Sequence, residues 1–365
     1  MIEYIQIEGF KSIRSANLKL GHVNVFIGSN GSGKSNFISF FKLLHAILNQ
    51  QLQRFVIEEK ADNLLYFGRK HTEQLYGKLY FTKDKKNNNG YWFKLAPTRE
   101  GGLFIEEEGF GYNVTNESDY LNYFNFKNSL ESVLPTQNGY RYDYLNDYLS
   151  NLQIYHFHDT SSTSMLRRAC DINDNRFLRS DGRNLPAFLF LLKKVHPKIF
   201  ARLERTIQSV APYIDRLILE PRQLKPNEIE LRWVDNGDLE SEFSAYQFSD
   251  GTLRFIALAT VLMQPSPPSV IIIDEPELGL HPHAISKLAG LIEAISHETQ
   301  IIISTQSVNL VDCFSPDQVF AVDREDNQSV FQKLDSEKLQ KWLEDSPLGE
   351  LWERNIINSA QPFSK

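Results

Sequence analysis

Gly28-Ser-Asn-Gly-Ser-Gly33-Lys34-Ser35 is the stretch that decides the fold. It matches G-x-x-x-x-G-K-[ST] in full, and its setting is right for a phosphate-binding loop. The compact apolar run Val23–Ile27 predicts a strand before it. Phe37, Phe40, Phe41, Leu44, Ile47 and Leu48, at three-to-four spacing, predict a helix over Lys34–Leu48 after it. The chemistry requires these residue types. Glycines let consecutive backbone N–H groups turn inward around an anion, and the helix N-terminus adds positive potential. Lys34 is placed to reach the β- and γ-phosphates of a nucleotide, and the Ser35 hydroxyl to ligate Mg²⁺.

Two later segments complete a pattern. Val270-Ile-Ile-Ile-Asp274-Glu275 predicts a buried strand that delivers Asp274 to a sheet edge, where a carboxylate can hold the metal, with Glu275 next to it to polarise a water. Phe248-Ser249-Asp250-Gly251-Thr252 precedes a helical run (Leu253, Ile256, Leu258, Val261); Ser249 suits an N-cap, and Gly251 leaves the helix start open to an anion. Each of these two is commonplace alone. Together with the loop they define a nucleotide site.

The set resembles the ABC-type ATPases of the RecF/SMC branch, and most closely the small OLD-like AAA-family ATPases of bacterial defence loci. By that resemblance Gly28–Ser35, with Asn30, Gly31, Ser32, Gly33 and the following Asn36, is the Walker A loop; Ser249-Asp-Gly251 is the ABC signature; Ile271–Glu275 is Walker B. Pro276–Pro282 is similar to the D-loop, and Lys11-Ser12 to the end of the family's first strand pair, which lies near the nucleotide. The resemblance implies ATP and Mg²⁺ as ligands, with Ser35 and Asp274 on the metal and Glu275 and Gln306 in the catalytic positions. It implies a head-to-head homodimer in which one copy's Ser249 and Gly251 meet the ATP held by the other's Lys34, and leaves a higher oligomer open. Where the family carries Ser-Thr-His-Ser, this chain has Ser304-Thr305-Gln306-Ser307, which implies slow turnover with nucleotide binding retained. Gln74 is the candidate for the Q-loop glutamine.

Working outward, the expected fold class is α/β: an ABC-type ATPase head with a P-loop parallel or mixed sheet, an inserted antiparallel β lobe and a helical subdomain. Short aromatic runs between turn signals mark the lobe, with an exposed hairpin tip at Lys83, Lys85 and Lys86 beside Asn87–Asn89. Residues 185–210 carry a 3.6-residue apolar period that Pro197 divides into two helices, while Leu217–Leu219 and Glu228–Val234 read as strands, with a turn at 235–238. The expected divisions are 1–60 and 216–330 for the two parts of the ATPase core, 61–158 for the β lobe, 159–215 for a helical insert and 331–365 for a helical tail.

Composition agrees with a folded chain. Of 365 residues 41% are hydrophobic and 12% aromatic, and the net charge of −7 excludes both bulk disorder and a protein coated in basic charge. No apolar run approaches the ~18 residues of a membrane span. Cys170 and Cys313 are too few for a disulfide framework or a zinc site, and no secretory leader is visible, so the expected location is cytoplasmic.

Three functions fit this pattern: an anti-phage defence ATPase switch with a separately encoded effector such as a nuclease, a RecF-like DNA clamp, and a stand-alone nuclease. The last is disfavoured. Asp323-Arg-Glu325-Asp326 reads as an acidic turn after the last strand, and the chain beyond Val322 is too short for the Toprim domain of OLD nucleases. His156, His158 and Asp159 lack further ligands at metal spacing and read as structural. Two basic groups, Lys194/Lys198/Arg202/Arg205 and Arg167/Arg168/Arg176/Arg179/Arg183, are either a phosphate-backbone or partner-binding surface or solvated faces paired with nearby carboxylates.

Overall fold

A computed structural model describes residues 1–82, 88–112, 124–137 and 140–357. It divides into two compact units, Met1–Leu152 with Gln300–Lys365, and Gln153–Thr299. The first unit opens with β1 (Ile2–Phe10), β2 (Ile13–Lys19), β3 (Val23–Ile27) and α1 (Lys34–Leu48). Two short helices follow, α2 (Leu52–Glu59) and α3 (Ala61–Leu64), then β4 (Leu75–Thr82), β5 (Asn88–Pro97), β6 (Leu103–Tyr112), β7 (Phe124–Ser129) and α4 (Tyr140–Ser150). The second unit takes up the chain with β8 (Leu152–Tyr155), β9 (Cys170–Asp171), α5 (Leu185–Val195) and α6 (Pro197–Val210). It continues through β10 (Ile214–Ile218), β11 (Pro221–Arg222), β12 (Lys225–Ile229), β13 (Arg232–Asp235) and β14 (Asp238–Ser244) to α7 (Asp250–Met263), β15 (Val270–Asp274) and α8 (Pro282–Ile295). The chain then returns to the first unit as β16 (Gln300–Thr305), α9 (Val308–Val311), β17 (Val319–Glu325), β18 (Gln328–Lys333), α10 (Ser336–Leu343) and α11 (Leu348–Glu353).

In the first unit β3 is the axis. It pairs in parallel with β16, Ile27 opposite Thr305, and with β17, Ile27 opposite Ala321. All five residues of β3 are buried, as expected of a strand covered on both faces; its one polar residue, Asn24, accepts from the Gly21 N–H and donates to the Gly21 and Ile301 carbonyls. A second, antiparallel sheet of the same unit has the order β2-β1-β4-β5-β6-β7. The lobe strands expected from aromatic runs therefore do not stand alone; they extend the N-terminal hairpin.

Helix α1 lies between these two sheets. Phe37 packs on Phe26 of β3 with ring centroids 4.3 Å apart, while Phe40 stacks on Phe93 of β5 at 5.9 Å. Gly77 of β4 leaves the room: a Cβ there would stand 2.4 Å from the Phe93 ring and 2.7 Å from that of Phe40. The sequence pattern shows a single apolar stripe, but Ile38 and Leu43 are buried too, so α1 is enclosed on most of its circumference.

Some expectations change. Residues 228–234 form not one strand but two. β12 pairs with β9 and β11, while β13 pairs with β10 and β14, so the chain switches sheets at 230–231. An alternating pattern that runs through such a switch conceals it. The acidic segment 323–326 is not a turn after the last strand: Asp323–Glu325 belong to β17, and Asp326-Asn327, both at positive φ, form the two-residue turn into β18. Residues 328–333 are accordingly strand, and helix begins at Ser336. The lobe segment also contains α4, whose Tyr-rich sequence has no clear apolar stripe. The division of residues 185–210 at Pro197 is as expected, with His196 between α5 and α6. The Lys83–Lys86 hairpin tip lies outside the described residues.

Phe26 is fully buried and also stacks on Phe320 at 4.8 Å. Phe26→Ala is expected to destabilise the protein by about 3–5 kcal/mol, measured by chemical denaturation.

Candidate functional site

In the first unit the loop between β3 and α1 is held open by its backbone. Gly31 and Gly33 have φ of 80° and 115°, values that disfavour any side chain. Gly33 is the N-cap of α1 and no side chain caps the helix, so its first-turn N–H groups face the loop. Lys34 is buried, and its ammonium donates to the Gly28 carbonyl at 2.6 Å and the Ser29 carbonyl at 3.1 Å, folding back over the loop. Asn30, Gly31 and Ser35 are exposed. Ser32 is buried, and its hydroxyl has no hydrogen-bond partner. A cradle of open glycines, an enclosed ammonium and an orphaned hydroxyl suits a phosphate chain.

One contact chain was invisible in the sequence. Asn36 Nδ2 donates to Ser12 Oγ at 2.7 Å; Ser12 Oγ is 2.6 Å from Ser329 Oγ; Ser329 Oγ donates to the Ser32 carbonyl at 2.6 Å. A hydroxyl has one proton, so the direction is determined: Ser329 spends its proton on Ser32, and Ser12 must donate to Ser329. The relay runs from α1 through the β1–β2 turn and β18 to the loop. Gly33 is part of the fit, because a Cβ there would stand 1.9 Å from Ser329 Oγ.

Lys11, in the same turn at φ 48°, extends to Glu59 of α2 at 3.4 Å. With Ser12, Asn36, Tyr66, Arg69 and Arg324 it lines a cleft of roughly 550 Å³. Arg69 grips Asp62 through its guanidinium and its backbone N–H, and these bonds pull the Asp62 carboxyl down to about 2. Gln306 is exposed directly after β16, whose last residue pairs with Ile27, so Gln306 and the glycine loop leave the same edge of the sheet. Gln74, the candidate for the Q-loop, donates to Glu106 in the antiparallel sheet.

The second unit holds the other segments. Ser249 is the exposed N-cap of α7 and accepts from the Thr252 N–H. Gly251 has a packing reason beyond keeping the helix start open, since a Cβ there would stand 2.2 Å from the Gly279 carbonyl oxygen. Asp274 ends β15 half-buried, and Glu275 follows with φ 44°, a conformation L side chains rarely adopt. His158 Nε2 donates to the Asp274 carbonyl at 2.7 Å. Buried Arg254 of α7 donates to the carbonyls of Phe157 and His158 at 2.8 Å each, and to that of Leu278. Burial pulls the Arg254 guanidinium below its ordinary value, against the opposing pull of Asp250 and Glu277.

The basic groups separate cleanly. Arg167 is buried and structural: it donates to Thr160, Ala245 and Phe248 carbonyls and pairs with Asp250 at 2.6 Å. Arg179 and Arg183 pair with Asp174 and Asp181. Lys194, Lys198, Arg202 and Arg205 are exposed and make no ion pair among the described residues. Nor do the described residues hold any group of three or more His, Cys, Asp or Glu able to bind a metal.

The fold is that of Smc head domains. A crystal structure of an Smc head bound to the C-terminal winged-helix domain of ScpA superposes with a TM-score of 0.59 at 18% identity, covering 93% of this chain and 99% of that one. The Smc head with an extended coiled coil, bound to the C-terminal domain of ScpA from Pyrococcus furiosus, gives 0.55 at 16% identity, covering 94% and 98%. At such identities the likeness concerns the fold alone. Within this class the chain belongs to the family described as "AAA domain, putative AbiEii toxin, Type IV TA system", whose profile matches residues 23–312. No curated protein sequence matches it.

Ser329→Ala removes the last member of the relay and leaves the Ser32 carbonyl without its donor. We expect a fluorescent ATP analogue to bind about fivefold more weakly, equivalent to about 1 kcal/mol, in an equilibrium titration.

Proposed function

We propose that this protein binds ATP with Mg²⁺, hydrolyses it slowly, and uses nucleotide-dependent head-to-head dimerisation as a switch. In this reading Lys34 and the loop N–H groups would hold the phosphates, Ser35 and Asp274 would hold the metal, and Glu275 would activate the attacking water. Gln306 donates to the γ-phosphate from its side-chain amide. Mg²⁺ would supply charge neutralisation at the β- and γ-phosphates. Residues 1–60 and 216–330 would work as the ATPase core. The observation that carries the reading is the loop itself: glycines at positive φ, a buried Lys34 over the loop carbonyls and an orphaned Ser32 hydroxyl. The exposed Ser249 at the start of α7 supports the dimer, because a signature on the surface is free to meet a second copy.

A setting in anti-phage defence, with a separately encoded effector such as a nuclease, is supported by the family description, which names a toxin of a type IV toxin–antitoxin system. Among the described residues no helix is long and apolar enough to cross a membrane.

A second reading, a DNA-bound clamp, has one observation in its favour. Lys194, Lys198, Arg202 and Arg205, exposed on α5 and α6, make no ion pair among the described residues, in a chain whose net charge is −7. Three exposed cations at three-to-four spacing on α6, with Lys194 near the end of α5, suit a phosphate backbone.

Two experiments test these readings. Glu275→Gln should trap an ATP-dependent dimer on size exclusion with light scattering, and adding Ser249→Arg should abolish it; a dimer that forms equally without nucleotide counts against the switch. For the clamp, Lys198→Glu with Arg202→Glu should weaken duplex DNA binding at least about tenfold and flatten its salt dependence in fluorescence anisotropy.

A further inference from the structure

The hydrogen bond from His158 to Asp274 lies outside every motif, yet it acts on the peptide unit that matters most. The Asp274 carbonyl and the Glu275 N–H belong to one plane, so a donor on that oxygen constrains how the plane is turned. Glu275 sits immediately after it at φ 44°, a value that persists only when surrounding contacts hold it. His158 provides such a contact at 2.7 Å. A carbonyl only accepts, so the imidazole carries its proton on Nε2.

The same short segment is tied to the signature helix. Arg254, one turn into α7 from Ser249 and Gly251, donates to the Phe157 and His158 carbonyls, and on its other side to Leu278 in the segment that follows Glu275. Gly251 packs against Gly279 with no room for a Cβ. The start of α7, residues 157–158 and the turn at 274–279 are thus joined by directed hydrogen bonds and one close backbone contact, all within one compact unit.

We propose that His158 is a positioning residue that sets the orientation of Glu275, and that Arg254 couples it to the signature helix. This rests on the ATPase reading above. In this scheme a displacement of α7 on meeting the partner's nucleotide is passed to the Glu275 peptide through Arg254 and His158. Neither residue touches the nucleotide in this scheme; the loop that binds it is built by other elements.

The test uses the full chain with His158→Ala, His158→Gln and Arg254→Lys. His158→Gln keeps an N–H donor within reach of the carbonyl and serves as the rescue. In nucleotide-free protein, amide exchange of the peptide spanning 275–280 should accelerate about tenfold in His158→Ala and stay near wild type in His158→Gln. At saturating ATP, kcat of His158→Ala should fall at least about tenfold with KM within about twofold, and His158→Gln should recover most of the loss. Arg254→Lys should lower kcat likewise, and combining it with His158→Ala should add little further. Unchanged exchange in His158→Ala, or kcat within about twofold of wild type, overturns the proposal. A wild-type protein that binds no ATP would instead sink the ATPase reading, while the exchange measurement still decides whether His158 holds the turn.

Discussion

The enclosure of α1 between two sheets is the constraint on which the rest of the first unit depends. A helix packed on one side can rock; one wedged by Phe37 against Phe26 and by Phe40 against Phe93 cannot do so without opening two interfaces. Its N-terminus is therefore held where the glycine loop must turn, and the loop inherits that rigidity. Gly77 shows how tightly the wedge is cut, since even a methyl group on β4 would collide with both rings. The contacts that set the helix axis are aromatic and apolar, while buried Lys34 at its start donates to the Gly28 and Ser29 carbonyls and so ties the loop to the helix.

On this rigid base the fine positioning is done by neutral hydrogen bonds. The relay Asn36, Ser12, Ser329, Ser32 carbonyl has one permitted direction, and every member is partly or fully enclosed. Such a relay is costly to interrupt because each lost partner leaves a group that water cannot easily reach. It also explains why the chain returns to the first unit with an antiparallel strand after the last parallel one. β18 brings Ser329 against Gly33, and its backbone N–H bonds to the Ser12 carbonyl at 2.7 Å.

What could be read from sequence was what is local. The strand, glycine loop and helix of residues 23–48 are consecutive, and each carries its own periodicity or residue requirement; the same holds for β15 and the capped start of α7. The α/β class and the antiparallel lobe followed from such segments. The Ser12–Ser329 contact joins positions 317 residues apart, and serine at either place signals nothing by itself. His158 was visible only as a histidine without metal partners, and its bond is to a backbone carbonyl, which no side-chain pattern records. Arg167 looked like surface charge because it stands among other arginines, yet it is buried against three carbonyls and Asp250. The switch of sheets at 230–231 was hidden for a related reason: alternation reports which face a residue takes, not which sheet it joins.

The replacement of histidine by Gln306 has a physical consequence under the proposed mechanism. An imidazole at that place would gain and lose a proton within the physiological range, so its attraction to a phosphate would vary with pH. An amide donates with a partial charge that does not vary. Gln306 stands exposed at the same sheet edge as the glycine loop, where water weakens any single neutral donor. Its contribution to charge developing in the transition state is then smaller than that of a cation, while its contribution to holding ground-state ATP is nearly retained. Under that mechanism a protein whose task is to stay closed on its nucleotide would gain from that ratio, because slow hydrolysis would lengthen the life of a bridged dimer.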